Sequence, residues 1–278
     1  MIEIGKYNDL KILRQTSVGL YLGDGTEDVL LPNKYCPEKF EIDDVLSVFV
    51  YLDYAERKIA TNITPKINLH EFALLQVSAV TEFGAFMDWG LEKELLVPFK
   101  EQNMRLEEGR WYIVYLDLDT QTDRLYATNK IEKRLQNDVL TVAEKDEVDL
   151  VIYQKTDMGY TVIVNHQHKG LVFENEIFRE LRVGDKLKGY IRNIREDNKL
   201  DISLSPIGYE RAVDEHCDIV FKKLAANQGF MNVTDKTSPE EIYLHFGMSK
   251  KAFKKAIGSL YKDRVIEITP DGIKLISN

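Results

Sequence analysis

The chain has 278 residues, 44% of them hydrophobic and 30% charged, with a formal net charge of −9. No apolar run approaches the length of a membrane span, and two cysteines, Cys36 and Cys217, are too few for a disulfide framework or a cysteine metal site. The opening MIEIGKYNDL lacks the basic-then-apolar layout of a signal peptide, so a cytoplasmic protein without a membrane partner is expected.

Between residues 6 and 205 three passages repeat one pattern. Their glycines, Gly19, Gly84 and Gly159, lie 65 and 75 residues apart, and their closing basic residues, Lys58, Arg124 and Lys199, lie 66 and 75 apart. Self-similarity of this kind marks a duplicated unit. The longer second interval comes from a connecting segment near residues 130–145, mostly polar, so units two and three are expected to be less tightly apposed than one and two. Unit two runs as FALLQVSAVTEF, AFMDW, ELLVPF, RWYIVYLDLD and RLYATNK, a set of β-rich runs of the size of an OB-type barrel. In its fourth run Trp111, Ile113 and Tyr115 alternate with Tyr112, Val114 and Leu116. A strand apolar on both faces belongs at the centre of a closed sheet. Gly84 suits a sharp bend, where a residue without Cβ is tolerated.

After SLSPIGYERA the apolar period becomes helical. Val213, Cys217, Val220, Phe221 and Leu224 share one helix face, and Gly229 follows an end near Ala226 or Asn227. Ser238 is placed to cap a second helix, with Pro239 at its first position, Glu240 and Glu241 in its first turn and Gly247 after its end. Ser249 opens a third helix with Ala252, Phe253, Ile257 and Leu260 inward, and VIEIT and GIKLI close a hairpin across Pro270-Asp271-Gly272. That order is a winged helix, whose third helix is the usual nucleic-acid reader. Lys250, Lys251, Lys254 and Lys255 lie opposite its apolar face, with Lys262 and Arg264 beyond, either as a phosphate-binding stripe or as a solvated face. The expected fold is mainly β with a C-terminal α+β domain. Three tandem five-stranded OB-type barrels (1–64, 65–142 including the linker, and 143–207) precede a winged helix (208–278). Their net charges are −4, −4, −2 and +1, so the acidity sits toward the N-terminus.

Phe83-Gly84-Ala85-Phe86, then Leu95-Leu96-Val97, then Asp119 and Arg124 resemble the ribosomal-protein S-one family of RNA-binding domains. In that family two aromatics, a histidine and an Asp/Arg pair form the RNA-contacting face. The resemblance implies RNA contact by Phe83, Phe86 and Arg124, with Asp119 supporting Arg124. Pro98 stands where the histidine would be. Unit one has Val18 and Tyr21 at the aromatic positions, Pro32 at the histidine position, and Asp53 with Arg57 and Lys58. Unit three has Met158 and Thr161, Phe173 at the histidine position, and Arg195 and Lys199 in its last hairpin. Tyr160 aligns with Ala85 and so faces away from the binding surface. Tyr21, Phe173, Arg195 and Lys199 complete the barrel candidates. Stacking on unpaired bases and phosphate contact suit single-stranded RNA. The alternative for these rings is that they fill the barrels. Three such barrels followed by a winged helix resemble the bacterial conserved virulence factor B family, which implies an RNA-binding regulator.

Catalytic readings are weaker. His166 and His168 sit in NHQHKG without a third ligand nearby. Asp117 and Asp119 could be read as a magnesium pair but fit a strand end and loop. No phosphate-cradling glycine loop or nucleophile–histidine set is present in the pattern. The expectation is a non-enzyme without a cofactor or metal that binds single-stranded RNA. Its alternatives are a duplex-DNA regulator using the winged helix, and an adaptor whose acidic N-terminal barrels, with Trp89 and Trp111, meet a protein partner.

Overall fold

The structure is a computed structural model and describes residues 1–174, 177, 180–204 and 215–276. Residues up to Leu204 make one compact unit and those from Ser205 a second. Val213 and the expected boundary at 207/208 lie outside the described residues.

The first unit is three barrels in series. Strands β1 (Tyr7–Gln15), β2 (Gly19–Gly23), β3 (Asp28–Pro32), β4 (Val45–Leu52) and β5 (Lys58–Thr61) close in the order β1-β2-β3-β5-β4. In the third barrel β11 (Glu147–Thr156), β12 (Gly159–Val164), β13 (His168–Phe173), β14 (Lys186–Ile194) and β15 (Leu200–Ser203) close in the same order. Between them β6 (Phe72–Val80), β7 (Gly84–Asp88), β8 (Leu95–Pro98), β9 (Trp111–Asp119) and β10 (Arg124–Thr128) form a five-stranded sheet ordered β10-β9-β6-β7-β8. Here the expectation of closure is corrected: β8 and β10 lie side by side, but among the described residues no ladder joins them. In the first and third barrels the seam is a short parallel ladder. Gly170 opposite Leu200 brings the strands together in the third barrel, whereas Leu30 meets Ile59 at a single pair in the first.

The repeat is written into the backbone as well as the pattern. Each first strand carries a register shift at the same place, between Ile12 and Arg14, Val77 and Ala79, and Ile152 and Gln154. The bulge coils the strand. Gly19, Gly84 and Gly159 follow with φ of 152°, 148° and 139°, and a Cβ there would sit 2.1, 2.3 and 2.0 Å from a carbonyl oxygen of the next strand. Thr16, Thr81 and Thr156, three residues earlier, each donate a hydroxyl to that glycine's carbonyl.

The barrels are joined by apolar packing. Phe49 and Tyr51 of β4 enter the core of the second barrel, where Trp89 lies edge-on to them at 5.9 and 6.1 Å. Trp89 is 2% exposed and its Nε1–H donates to the Lys93 carbonyl at 2.6 Å. It therefore cannot mark a partner surface, a correction to the sequence reading; Trp111 is exposed. Burial pushes the Tyr51 hydroxyl up to about 12. Strand β9 is apolar on both faces because Val114 and Leu116 fill its own barrel while Ile113 packs with Phe72, Val151 and Ile163 against the third.

The connecting segment is itself packed against the barrels it joins. Ile131 is buried in that second interface, with Leu135 against it. Arg134 pairs with Asp117 at 2.7 Å, and the Tyr126 hydroxyl donates to the same carboxylate. His166 accepts the Phe72 N–H at Nδ1 (2.9 Å), its ring stacked on that of Phe72. His168, fully buried, accepts the Thr141 N–H at Nε2 and donates from Nδ1 to the Gln136 carbonyl at 2.6 Å. The two histidines thus hold opposite tautomers and fasten the third barrel to the second and to the linker.

The second unit comprises α1 (Glu215–Ala226), β16 (Phe230–Met231), α2 (Pro239–Phe246), α3 (Lys250–Lys262), β17 (Ile266–Thr269) and β18 (Gly272–Leu275). Ser238 caps α2 by accepting the Glu241 N–H, Gly247 ends it at φ 67°, and Ser249 caps α3 by accepting the Ala252 N–H. Phe253, Ala256, Ile257 and Leu260 face a core shared with Val220, Leu224 and Ile242. Among the described residues no helix is long and apolar enough to cross a membrane.

Candidate nucleic-acid interface

Phe83 precedes Gly84 in a tight turn. The Thr81 N–H donates to the Gly84 carbonyl, and the Thr81 hydroxyl oxygen accepts the Phe83 N–H at 3.2 Å. The ring is 67% exposed. Val18 and Met158, at the same point of the other barrels, are 54% and 62% exposed. All three loops thus present their residue to solvent, and only the middle one carries an aromatic. Ala85 and Met87 point into the core, so Phe86 alternates outward and is half-buried beside Leu96. These two rings are outside the barrel core.

The other aromatic candidates are covered. The Arg14 guanidinium lies 4.1 Å from the Tyr21 ring centre and pairs with Asp28 at 2.7 Å. Phe173 is half-buried with Arg195 5.7 Å above its ring. Tyr160 packs against the third core and donates its hydroxyl to the Leu181 carbonyl.

The basic candidates of the barrels each hold a carboxylate. Arg124 is bonded to Glu56 of the first barrel at 2.9 Å and holds that carboxyl below the usual range. The expected support from Asp119 is corrected, since that carboxylate accepts the Gln121 N–H. Long-range packing decides this, because Glu56 belongs to a loop 68 residues away. Arg57 pairs with Asp53, Lys58 with Glu27, Arg195 with Asp201 and Lys199 with Asp197. Exposed pairs of this kind are weak and exchangeable, but each is electrically neutral at range.

Sequence reasoning missed Phe99 and Arg105. Phe99 follows Pro98, which is opposite Gly84, so the antiparallel register brings Phe83 and Phe99 to the same end of the ladder. The Arg105 guanidinium lies 4.0 Å from the Phe99 ring centre. The only sequence trace is FKEQNMR, without a motif to mark it.

In the winged helix Lys251, Lys254 and Lys255 are exposed on α3. Lys254 is 3.5 Å from Asp235, and Lys250 is half-buried with its ammonium on the Lys236 carbonyl. His70, Tyr115, Asp117 and Arg134 lie close together, but Asp117 is already occupied by Arg134 and Tyr126.

The S1 domain model matches residues 4–62, the first barrel. The model for the second domain of virulence regulatory factor CvfB matches 132–206, the linker and third barrel, and the CvfB-like winged helix domain matches 218–275. "Uncharacterized protein YitL" of Bacillus subtilis is 29% identical over 276 residues, covering 93% of this chain and 89% of that protein. "Conserved virulence factor B" of Staphylococcus epidermidis is 29% identical over 271 residues, covering 94% and 90%. A solved Streptococcus pneumoniae structure, described as a multidomain protein with nucleic acid binding domains, is 23% identical, covers 98% of each chain and gives a TM-score of 0.42. The domain matches fall in series on the first barrel, the third barrel and the winged helix, and the relatives align over nearly their whole length: the chain carries domains matched by the CvfB models and is similar throughout to the conserved virulence factor B proteins.

Proposed function

We propose that this chain is a non-catalytic, cytoplasmic RNA-binding protein, a post-transcriptional regulator that holds single-stranded RNA by stacking on the middle barrel and by phosphate contacts from the winged helix. The observation that carries the reading is Phe83, an aromatic residue held in a hydrogen-bonded turn and 67% exposed in a barrel of the S-one pattern. An unpaired base stacked on such a ring is worth about 1–3 kcal/mol. Exposed Lys251, Lys254 and Lys255 supply positive charge without sequence preference. Sites that are weak singly add through effective concentration when one strand engages both.

The same three lysines favour duplex DNA as the second reading, because the third helix of a winged helix commonly enters a groove. The adaptor reading loses the buried Trp89 and keeps only Trp111. Competition at fixed salt separates them. With the full chain bound to a labelled unstructured RNA, unlabelled RNA displaces the probe at lower concentration than duplex DNA does. Preferential displacement by the duplex supports the DNA reading, and absence of any nucleic-acid binding near physiological salt supports the adaptor.

A further inference from the structure

The middle barrel distributes its charge unevenly. Residues 65–142 contain nine lysines and arginines. Lys66, Lys93, Arg110, Arg124 and Arg134 are in ion pairs with carboxylates. Lys100, Arg105, Lys130 and Lys133 have no such partner among the described residues. Three of these four meet at one short turn, Phe99–Glu101: Lys100 is part of it, the Lys130 ammonium donates to the Lys100 carbonyl, and Arg105 lies over Phe99. The matching lysine of the first barrel, Lys34, is paired with Glu92. Glu101 in the turn and Asp119 on the neighbouring hairpin offset part of the charge, and Lys100 helps to hold Asp119 ionised.

From this geometry we infer that the backbone phosphates of the bound strand are received at Lys100, Arg105 and Lys130, beside Phe83, and that Arg124 is a fastener between barrels one and two. The inference rests on the RNA-binding reading and adds to its winged-helix contacts a phosphate contact on the middle barrel, at the turn after β8 rather than at Arg124 where the family resemblance puts it. The physical reason is desolvation and competition. A phosphate at Arg124 must displace or sit beside the Glu56 carboxylate, whereas the Phe99 turn offers cations with no carboxylate of their own. Arg105 adds geometry: its plane is already ordered on the Phe99 ring, so fewer rotamers are lost when its donors engage phosphate oxygens. The register that pairs Gly84 with Pro98 puts the turn carrying these cations at the same end of the ladder as the exposed Phe83, so that base and phosphate of one strand can be addressed from one side of the barrel.

The test is the salt dependence of affinity of the full chain for an unstructured RNA. A contact to a single strand contributes about 0.7 to the slope of log K against log salt. The triple variant Lys100→Gln, Arg105→Gln, Lys130→Gln is expected to lower the slope by about 2, and Arg124→Gln to leave it near that of the unaltered chain. Circular dichroism confirms that both remain folded. A slope lowered by Arg124→Gln and unchanged by the triple variant overturns the inference. Phe83→Ala in the same series separates the two layers. If it weakens binding while the triple variant keeps the full slope, the RNA reading survives and the phosphate assignment falls. If the unaltered chain binds no RNA, both fall.

Discussion

His166 sits where local turn chemistry would select another residue. Asn165 and His166 have φ of 48° and 56°, the consecutive left-handed geometry for which Asn-Gly is the preferred pair in a two-residue turn. The ring instead reaches Phe72, accepting its N–H at 2.9 Å and stacking on its side chain. His166→Gly relieves the left-handed strain and adds freedom to the unfolded chain, effects of about 1 kcal/mol each and opposite sign. What remains is the interface: a buried Phe72 amide without an acceptor costs about 1–3 kcal/mol. For a unit of this size that lowers the unfolding midpoint by about 2–12 °C. The effect depends on pH. A backbone N–H can only donate, so Nδ1 is unprotonated in the folded chain. Burial, the largest influence, holds the imidazole below its ordinary value, with Lys186 adding to the depression and the Glu71 and Asp149 carboxylates opposing it. The unfolded chain therefore takes up the proton first. Stability rises with pH until about 6.5 and is lost below it, toward the lowered folded value. Thermal melts from pH 5 to pH 8 should show this slope in the unaltered chain and a reduced one in His166→Gly. Identical slopes, or a variant as stable as its parent at pH 8, would refute the clasp.

Gly84→Ala places a Cβ 2.3 Å from the Val97 oxygen at φ 148°, whereas Gly109→Ala meets open space at φ 77°. Urea unfolding should show a loss of more than about 2 kcal/mol for the first and about 1 kcal/mol for the second, and equal losses would contradict the close approach. The two tryptophans report burial separately. Trp111→Phe, leaving only Trp89, should give blue-shifted emission shielded from iodide, and Trp89→Phe should give red-shifted, readily quenched emission. The reverse assignment would contradict the packing of Trp89 between the first two barrels.

Local signals carried much of the architecture. The recurring glycines coincide with a bulge and a hydroxyl clasp in each barrel, and Ser238, Pro239, Gly247 and Ser249 act at the helix ends as their chemistry suggests. Features set by distant neighbours were illegible. Trp89 reads as a surface aromatic until Phe49 and Tyr51 of another barrel cover it. Arg124 has an aspartate nearby in sequence, yet its partner is Glu56. The linker looked like a spacer because only a few of its residues are apolar, although Ile131 and Leu135 are enough to pack it. At the candidate interface, strand alternation could assign Phe86 to an outward face once Ala85 and Met87 were inward. The Arg105–Phe99 stack depends on a loop whose path no periodicity encodes.

In the proposed function, the middle barrel holds single-stranded RNA through the rings of Phe83 and Phe86. Phe83→Ala combined with Phe86→Ala removes two side chains that lie outside the barrel core, so the fold should persist. Equilibrium titration of a labelled unstructured RNA with this variant at fixed salt should show affinity reduced about 5- to 150-fold, the equivalent of one stacked base at 1–3 kcal/mol. A folded variant that binds the RNA as tightly as the unaltered chain would contradict the account.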